Sequence, residues 1–157
     1  MSIVEPLLFP EPEVLSPEDE LLVSVVIPCL NEAANIERCV SWARTTLAEH
    51  GIRGERLVTE RRRGYGNAYM AGFAAAKGRY IVMADADLTY DFDEIPRFLA
   101  EFESGADHVM GNRMDNIEPG AMPFLNRYLG NPALSGFLNL LYRTGVKDAH
   151  CGMRAVR

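Results

Sequence analysis

Two aspartates separated by one alanine, Asp85-Ala86-Asp87, follow directly on the apolar run Tyr80 to Ala84. Carboxylates so placed can share one hard cation or its water shell, and Mg2+ or Mn2+ binds through a few carboxylates plus substrate phosphates. A solvated acidic turn is the competing reading, although two carboxylates straight after an apolar strand are costly without a counterion. Upstream, Pro28-Cys29-Leu30-Asn31-Glu32 puts a polar pair where a strand meets a helix N-terminus, whose open N–H groups suit an anionic ligand. Helix capping explains Asn31 equally well. Arg61-Arg62-Arg63-Gly64-Tyr65-Gly66-Asn67 joins three guanidinium groups to two glycines that let backbone approach a phosphate closely, with a solvated basic loop as the alternative. Gly111-Asn112-Arg113, Arg127 and the stretch Asp148 to Arg154 add arginines able to grip phosphate in bidentate fashion. Arg127 also reads as a plain surface residue of a helix. His150 beside Cys151 suggests a base and a thiol, but neighbours in an extended chain point to opposite faces. Cys39 falls on a core position and is packing.

These groups need elements that hold them. Leu21 to Leu30 is a near-continuous β-branched and apolar run, the pattern of a strand buried on both faces. Ile36, Cys39, Val40, Ala43 and Leu47 then follow helical spacing up to Gly51, with Asn31 as the expected N-cap. Arg56 to Glu60 predicts a second strand. Gly64 to Asn67 leads into an alanine-rich helix stopping at Gly78, and Tyr80 to Ala84 is another buried strand. Asp93 to Ser104 predicts a helix with acids in its first turn, and His108 to Met110 a short strand ending in Gly111-Asn112-Arg113. From Met122 to Arg143, Leu125, Tyr128, Leu129, Phe137, Leu138, Leu141 and Tyr142 predict one or two helices interrupted at Pro132. Alternating strands and helices of this length predict an α/β fold with a parallel sheet, and the polar motifs fall where such sheets bind ligands, beyond the C-terminal ends of their strands.

Bulk properties narrow the class. The 157 residues suit one domain with a real core, and 48% hydrophobic with 24% charged residues is ordinary for a globular protein. A net charge of -6 argues against nucleic-acid binding, which depends on a basic face. Cys29, Cys39 and Cys151 are too far apart for a C-x-x-C site and predict a reducing, cytoplasmic compartment. Residues 1–20, with four prolines and six acids, read as an N-terminal arm rather than a signal peptide. No run of eighteen apolar residues predicts a membrane span, so membrane contact is expected to be peripheral or to lie outside these 157 residues.

In order and spacing, V-S-V-V-I-P-C-L-N-E at 23 to 32, R-R-G-Y-G-N-A at 62 to 68, D-A-D-L at 85 to 88, G-N-R at 111 to 113 and C-G-M-R at 151 to 154 resemble one group. They resemble the family 2 glycosyltransferases with the GT-A fold, most closely the dolichyl-phosphate mannose and polyprenyl-phosphate glucose synthase branch. The resemblance implies a GT-A (Rossmann-like), mostly parallel central sheet flanked by helices over residues 21–157. It implies an inverting transfer of a hexose from a UDP-glucose or GDP-mannose type donor to an acceptor, a polyprenyl or dolichyl phosphate, at the cytoplasmic face of a membrane. Pro28, Asn31 and Glu32 would line the donor site, joined by Arg62, Gly64, Tyr65, Gly66 and Asn67, with Asp85 and Ala86 at the diphosphate. Asp85 and Asp87 would hold the Mg2+ or Mn2+. Arg113, Arg127 and Arg154 would face the acceptor phosphate, with Asp87, Arg113 and Arg154 as the catalytic set. An acceptor phosphate is already anionic, so positioning and electrostatics should dominate over base catalysis.

Two departures from the family pattern stand out. The family's second strand, ending in a D-N-G-S-x-D-G-like turn that contacts the base, has no match here, and Glu55 runs straight into Arg56. Loss of one interior βα unit predicts an unpaired slot beside the first strand, so residues are expected to be missing between 55 and 56. The chain also stops at Arg157, so the C-terminal, acceptor-side part is expected to be absent. Two other functions fit parts of the sequence. D-A-D-L-T at 85 to 89 matches the D-x-D-x-T of haloacid-dehalogenase-type phosphatases, and a noncatalytic nucleotide-sugar-binding protein would tolerate the missing strand.

Overall fold

A computed structural model describes residues 20–29, 32–59, 64–114 and 123–157, so most of the expected N-terminal arm, Asn31, and Arg61, Arg62 and Arg63 lie outside the described residues. Strand β1, Val23–Pro28, is buried along its whole length, as its unbroken β-branched run requires. Helix α1, Ile36–Glu49, turns Cys39, Ala43, Thr46 and Leu47 inward. Its N-cap is Asn35, not Asn31, because Glu32 forms a preliminary turn: its carbonyl accepts the Asn35 and Ile36 N–H groups at 3.0 and 2.9 Å.

Strand β2 is Gly54–Thr59, two residues earlier than the sequence expectation, and runs through the Glu55–Arg56 junction with those residues opposite Ser24 and Val25. Helix α2 is Tyr65–Ala75 and ends short of Gly78. A Cβ on Gly72 would stand 2.3 Å from Val26 Cγ1, so only glycine lets α2 lie this close on β1. Strand β3, Tyr80–Met83, flanks β1 on its other side, so β1 is paired at both edges and the expected open slot beside it is filled by β2 itself. Ser24, fully buried, ties the three strands' ends together: its hydroxyl donates to Glu55 Oε1 at 2.6 Å and accepts the Gly78 N–H at 2.8 Å.

A 3-10 turn at Phe92–Glu94 opens helix α3, Ile95–Glu103. Ile95, Phe98, Leu99 and Phe102, spaced i, i+3, i+4, i+7, form its buried stripe, and Phe102 stacks on Tyr80 at 4.4 Å. Strand β4 is His108–Met110, followed after Pro123 by a π turn at Asn126–Gly130 and helix α4, Asn131–Tyr142. The expected interruption at Pro132 is a change of winding rather than a gap: the chain is already helical before it, passes through the π turn at Asn126–Gly130, and begins α4 one residue ahead of the proline.

The sheet order is β2-β1-β3-β5-β4, where β5 is Arg154–Val156. The fold is mixed α/β with a five-stranded central sheet flanked by helices. Strands β1 to β4 share one direction and β5 alone opposes its neighbours β3 and β4. The sheet is therefore mostly but not wholly parallel. Reversal of β5 brings its first residue, Arg154, to the same edge as the C-terminal ends of β1, β3 and β4.

Candidate active site

At that edge the chain leaves β3 through Ala84 and Ala86, fully or almost fully buried, with Asp85 half-buried and Asp87 exposed. The alternation anchors the turn by its alanines and turns its carboxylates outward. Asp87 Oδ1 accepts the Thr89 N–H at 2.9 Å, and Leu88 adopts a left-handed conformation with φ of 63°. Such a conformation in a branched residue costs on the order of 1 kcal/mol and persists where the surroundings enforce it.

Asp85 is gripped from the N-terminal side by α2. The phenol of Tyr65 donates to Asp85 Oδ1 at 2.8 Å, with that of Tyr69 at 3.5 Å, and the two phenols meet at 3.3 Å. Spacing of i, i+4 puts both rings on one face of α2, 4.8 Å apart and edge to face. Burial pushes both phenols above their ordinary range, for Tyr69 with help from the Tyr65 hydrogen bond. They stay protonated donors near neutral pH.

From the C-terminal side Asp85 is met by the chain entering β5. A Cβ on Gly152 would stand 2.5 Å from Asp85 Oδ2 and 2.7 Å from the Tyr90 hydroxyl, so C-G-M-R needs its glycine for close approach to the aspartate. Tyr90 Oη accepts the Gly152 N–H at 2.7 Å and fixes this contact. Burial holds the Tyr90 phenol above its usual range too.

Beyond Tyr90 lies a buried ion pair. Arg113 donates from Nε to Asp148 Oδ2 at 2.8 Å and from Nη2 to Oδ1 at 3.2 Å, and its backbone N–H reaches Oδ2 at 3.3 Å. The Asp148 side chain is 0% exposed against 26% for Arg113. Burial alone would raise the Asp148 carboxyl, but the Arg113 hydrogen bonds and charge outweigh it and hold the group below the usual carboxylate range. The Asp148 hydrogen bonds raise Arg113 in turn, despite its burial. The guanidinium also lies 6.0 Å from the Tyr90 ring centroid. Arg154 donates to the Cys151 and Ala149 carbonyls at 2.7 and 3.1 Å, bracing the same loop.

The structure thus brings Tyr65, Asp85, Ala86, Asp87, Arg113 and Arg154 to one sheet edge, with Gly64, Gly66 and Asn67 exposed around the start of α2 and Pro28 buried at the end of β1. Glu32 is half-buried near the same edge, where it and Asp87 both add to the rise that burial imposes on the Cys39 thiol. Arg127 does not join the cluster in the described contacts; it lies 5.6 Å over the Tyr128 ring. Cys151 is buried, its thiol raised above the ordinary range chiefly by burial, while His150 is exposed, so the two make no thiol–base pair. Tyr69 and Tyr90 are contacts of this cluster that the sequence does not single out, and Asp148 enters it there only as the first residue of a loop. The i, i+4 repeat of Tyr65 and Tyr69 was the one available signal.

Among the described residues no cluster of three or more acids, histidines or cysteines forms a closed metal cage. Two carboxylates at an open turn are the donor set that suits Mg2+ or Mn2+, which keep waters and recruit substrate phosphates. Residues 44–157 match the family model described as Glycosyl transferase family 2. The low-salt glycan biosynthesis hexosyltransferase Agl6 of Haloferax volcanii is 43% identical over 154 residues, covering 84% of this chain and 37% of that protein. The dolichyl-phosphate hexose transferase of the same organism is 38% identical over 106 residues, 66% of this chain and 45% of the relative. The chain therefore spans less than half of either relative. Among solved structures, Mycobacterium tuberculosis glucosyl-3-phosphoglycerate synthase in complex with Mn2+, UDP-glucose and glycerol 3-phosphate superposes with a TM-score of 0.59 at 19% identity, over 87% of this chain and 56% of that one. At that identity the likeness concerns the fold.

Proposed function

The chain belongs to glycosyl transferase family 2, and on that premise we propose that it transfers a hexose, with inversion, from a UDP-glucose or GDP-mannose type donor to a polyprenyl or dolichyl phosphate at a membrane face. The observation that carries the reading is the double contact of Asp85, with Tyr65 of the R-G-Y-G-N segment on one side and Gly152 of C-G-M-R on the other. Donor and acceptor motifs converge on one carboxylate. The relatives, a hexosyltransferase and a dolichyl-phosphate hexose transferase, support the substrate classes.

In this reading Asp85 and Asp87 hold Mg2+ or Mn2+, which supplies positive charge for the donor diphosphate. An acceptor phosphate oxygen attacks the anomeric carbon as the bond to the diphosphate oxygen breaks, and the electron pair leaves with the nucleoside diphosphate. No proton has to be removed, so the residues act by position and charge. Tyr65 and Tyr69 hold Asp85 in orientation. Arg113 spends two of its N–H donors on Asp148, which aims the remaining edge of the guanidinium at the acceptor phosphate. Arg154 fixes the loop that carries Gly152. Arg127, stacked on Tyr128 in the acceptor-side helices, would meet the acceptor only at the outer end of the site.

The base-binding end is read as incomplete. The Agl6 alignment extends over 154 residues, whereas 84% of this 157-residue chain is about 132, so about 22 aligned positions have no counterpart here. The shortfall is of the size expected for residues lacking between 55 and 56, a junction that β2 crosses without a break. A radiolabelled panel of UDP- and GDP-hexoses, assayed with Mn2+ and a short-chain polyprenyl phosphate, tests the function. Label passing into the lipid phase with one donor is the expected result. Donor binding without transfer or hydrolysis would leave the noncatalytic binding protein instead.

A further inference from the structure

The hydroxyl of Tyr90 has one hydrogen bond accounted for and one left over. A phenol oxygen accepts hydrogen bonds and also carries a hydrogen to donate. Tyr90 Oη accepts the Gly152 N–H at 2.7 Å, and among the described residues nothing accepts its own hydrogen. Tyr90 is only 7% exposed. A donor left without an acceptor in such a place is destabilising, and in native proteins it marks a ligand, an ion or a water.

The surroundings of the hydroxyl say which acceptor it fits. The point that a Cβ on Gly152 would occupy lies 2.7 Å from Tyr90 Oη and 2.5 Å from Asp85 Oδ2, so the two oxygens border one seam. The described hydrogen bonds to Asp85, from Tyr65 and Tyr69, both fall on Oδ1, which leaves Oδ2 to face a cation. On the other side the Arg113 guanidinium lies 6.0 Å from the Tyr90 ring centroid. Asp85, Arg113 and Gly152 are each half-buried, so solvent reaches the seam they share with Tyr90. A neutral acceptor would use neither charge, whereas a phosphate oxygen uses both, as a ligand of a cation on Asp85 and as an anion in the field of Arg113. We propose that Tyr90 is a phosphate-binding residue of the transfer site, its hydroxyl donating to a phosphate oxygen held between Asp85 and Arg113. The proposal deepens the transferase reading and rests on it only for what carries the phosphate. Both substrates of that reaction bring one, the donor as a diphosphate and the acceptor as a monophosphate. One hydrogen serves one oxygen, so the two sources are separable.

Calorimetry on the full chain tests it, with pyrophosphate and Mg2+ as the probe of the donor side and farnesyl phosphate as the probe of the acceptor side. Tyr90→Phe keeps the ring against Arg113 and removes the hydroxyl. It is expected to weaken one probe about tenfold and leave the other near its wild-type affinity, and the probe that weakens identifies the phosphate. Replacing Tyr90 by 3-fluorotyrosine separates this role from support of Gly152, because fluorine makes the hydroxyl a better donor and a poorer acceptor. The same probe should then bind several-fold more tightly at neutral pH, where burial keeps the phenol protonated. A hydroxyl that serves only to hold the Gly152 N–H would give no such gain. Unchanged affinity for both probes in Tyr90→Phe overturns the proposal, as does a fluorotyrosine protein that binds no more tightly, or a wild type that binds neither probe. Label transfer from the donor panel judges the transferase reading separately. Tyr90-dependent phosphate binding without transfer keeps the proposal and sinks that reading; transfer with phosphate binding indifferent to Tyr90 does the reverse.

Discussion

The part of the chain from β1 to α3 and the helical segment from Phe124 to Tyr142 obey opposite rules. Between β1 and α3 most apolar side chains point inward: Val25, Ile27, Val82, Phe92 and Phe102 are 0–1% exposed, with Val58, Tyr65 and Met70 as exposed exceptions. From Phe124 to Tyr142 most apolar side chains, with half-buried Leu138 the exception, point outward, and Asn131, Ser135 and Asn139 hold the helix to the body. The first half is stabilised by water exclusion. The second is attached through hydrogen bonds, which contribute only about 1 kcal/mol each net, so its apolar surface serves something other than the core.

The largest test of this contrast is a matched pair of truncations. Phe102→Ala should cost about 3–5 kcal/mol in urea unfolding, whereas Leu140→Ala should fall within about 0.5 kcal/mol of wild type. Equal costs would mean that α4 belongs to the core. Next comes the joint between the halves. Asp148→Ala strips Arg113 of its partner and should cost about 3 kcal/mol, as for other buried pairs broken on one side. Because the folded Asp148 carboxyl lies below its ordinary value, its contribution is complete above the unfolded carboxylate pKa of about 3.9 and fades as pH falls through the lower folded value. The stability gap between wild type and Asp148→Asn should therefore be flat from neutral pH to mild acid and close only in stronger acid.

Smaller effects probe the Asp85 contacts. Gly152→Ala forces a methyl group against Asp85 and Tyr90 and should destabilise by about 1–3 kcal/mol while weakening Mn2+ binding, measured by calorimetry. Unchanged Mn2+ affinity there would separate C-G-M-R from the metal end. Tyr65→Phe removes one partly exposed hydrogen bond, so stability should move by less than about 1 kcal/mol. Its Mn2+ affinity should nonetheless fall several-fold, since Asp85 loses its orientation; an unaltered isotherm would make Tyr65 a bystander.

The half from β1 to α3 was legible because its signals are local. The β-branched run of β1, the i, i+3, i+4, i+7 stripe of α3 and the aspartates after β3 can each be read from adjacent residues. What escaped depends on distant partners. Strand β5 is three residues long and exists through its pairing with β3 and β4, so nothing local announced either the strand or its reversal. Asp148 reads as a loop acid until the fold sets it against Arg113, 35 residues away. The apolar spacing of residues 122–143 correctly predicted helices, but periodicity does not tell which face turns outward. The cap of α1 is Asn35 because a turn closed by the Glu32 carbonyl comes first and moves the start of the helix to Ile36.

We propose Asp85 as the point where the metal and donor end meets the rest of the site, and thermal unfolding with Mn2+ and a panel of nucleotide hexoses tests that role most directly. Wild type should be stabilised by one donor class only when Mn2+ is present, and Asp85→Asn should fold normally yet lose that shift. An Asp85→Asn protein stabilised as strongly as wild type, or a wild-type shift that ignores Mn2+, would contradict it.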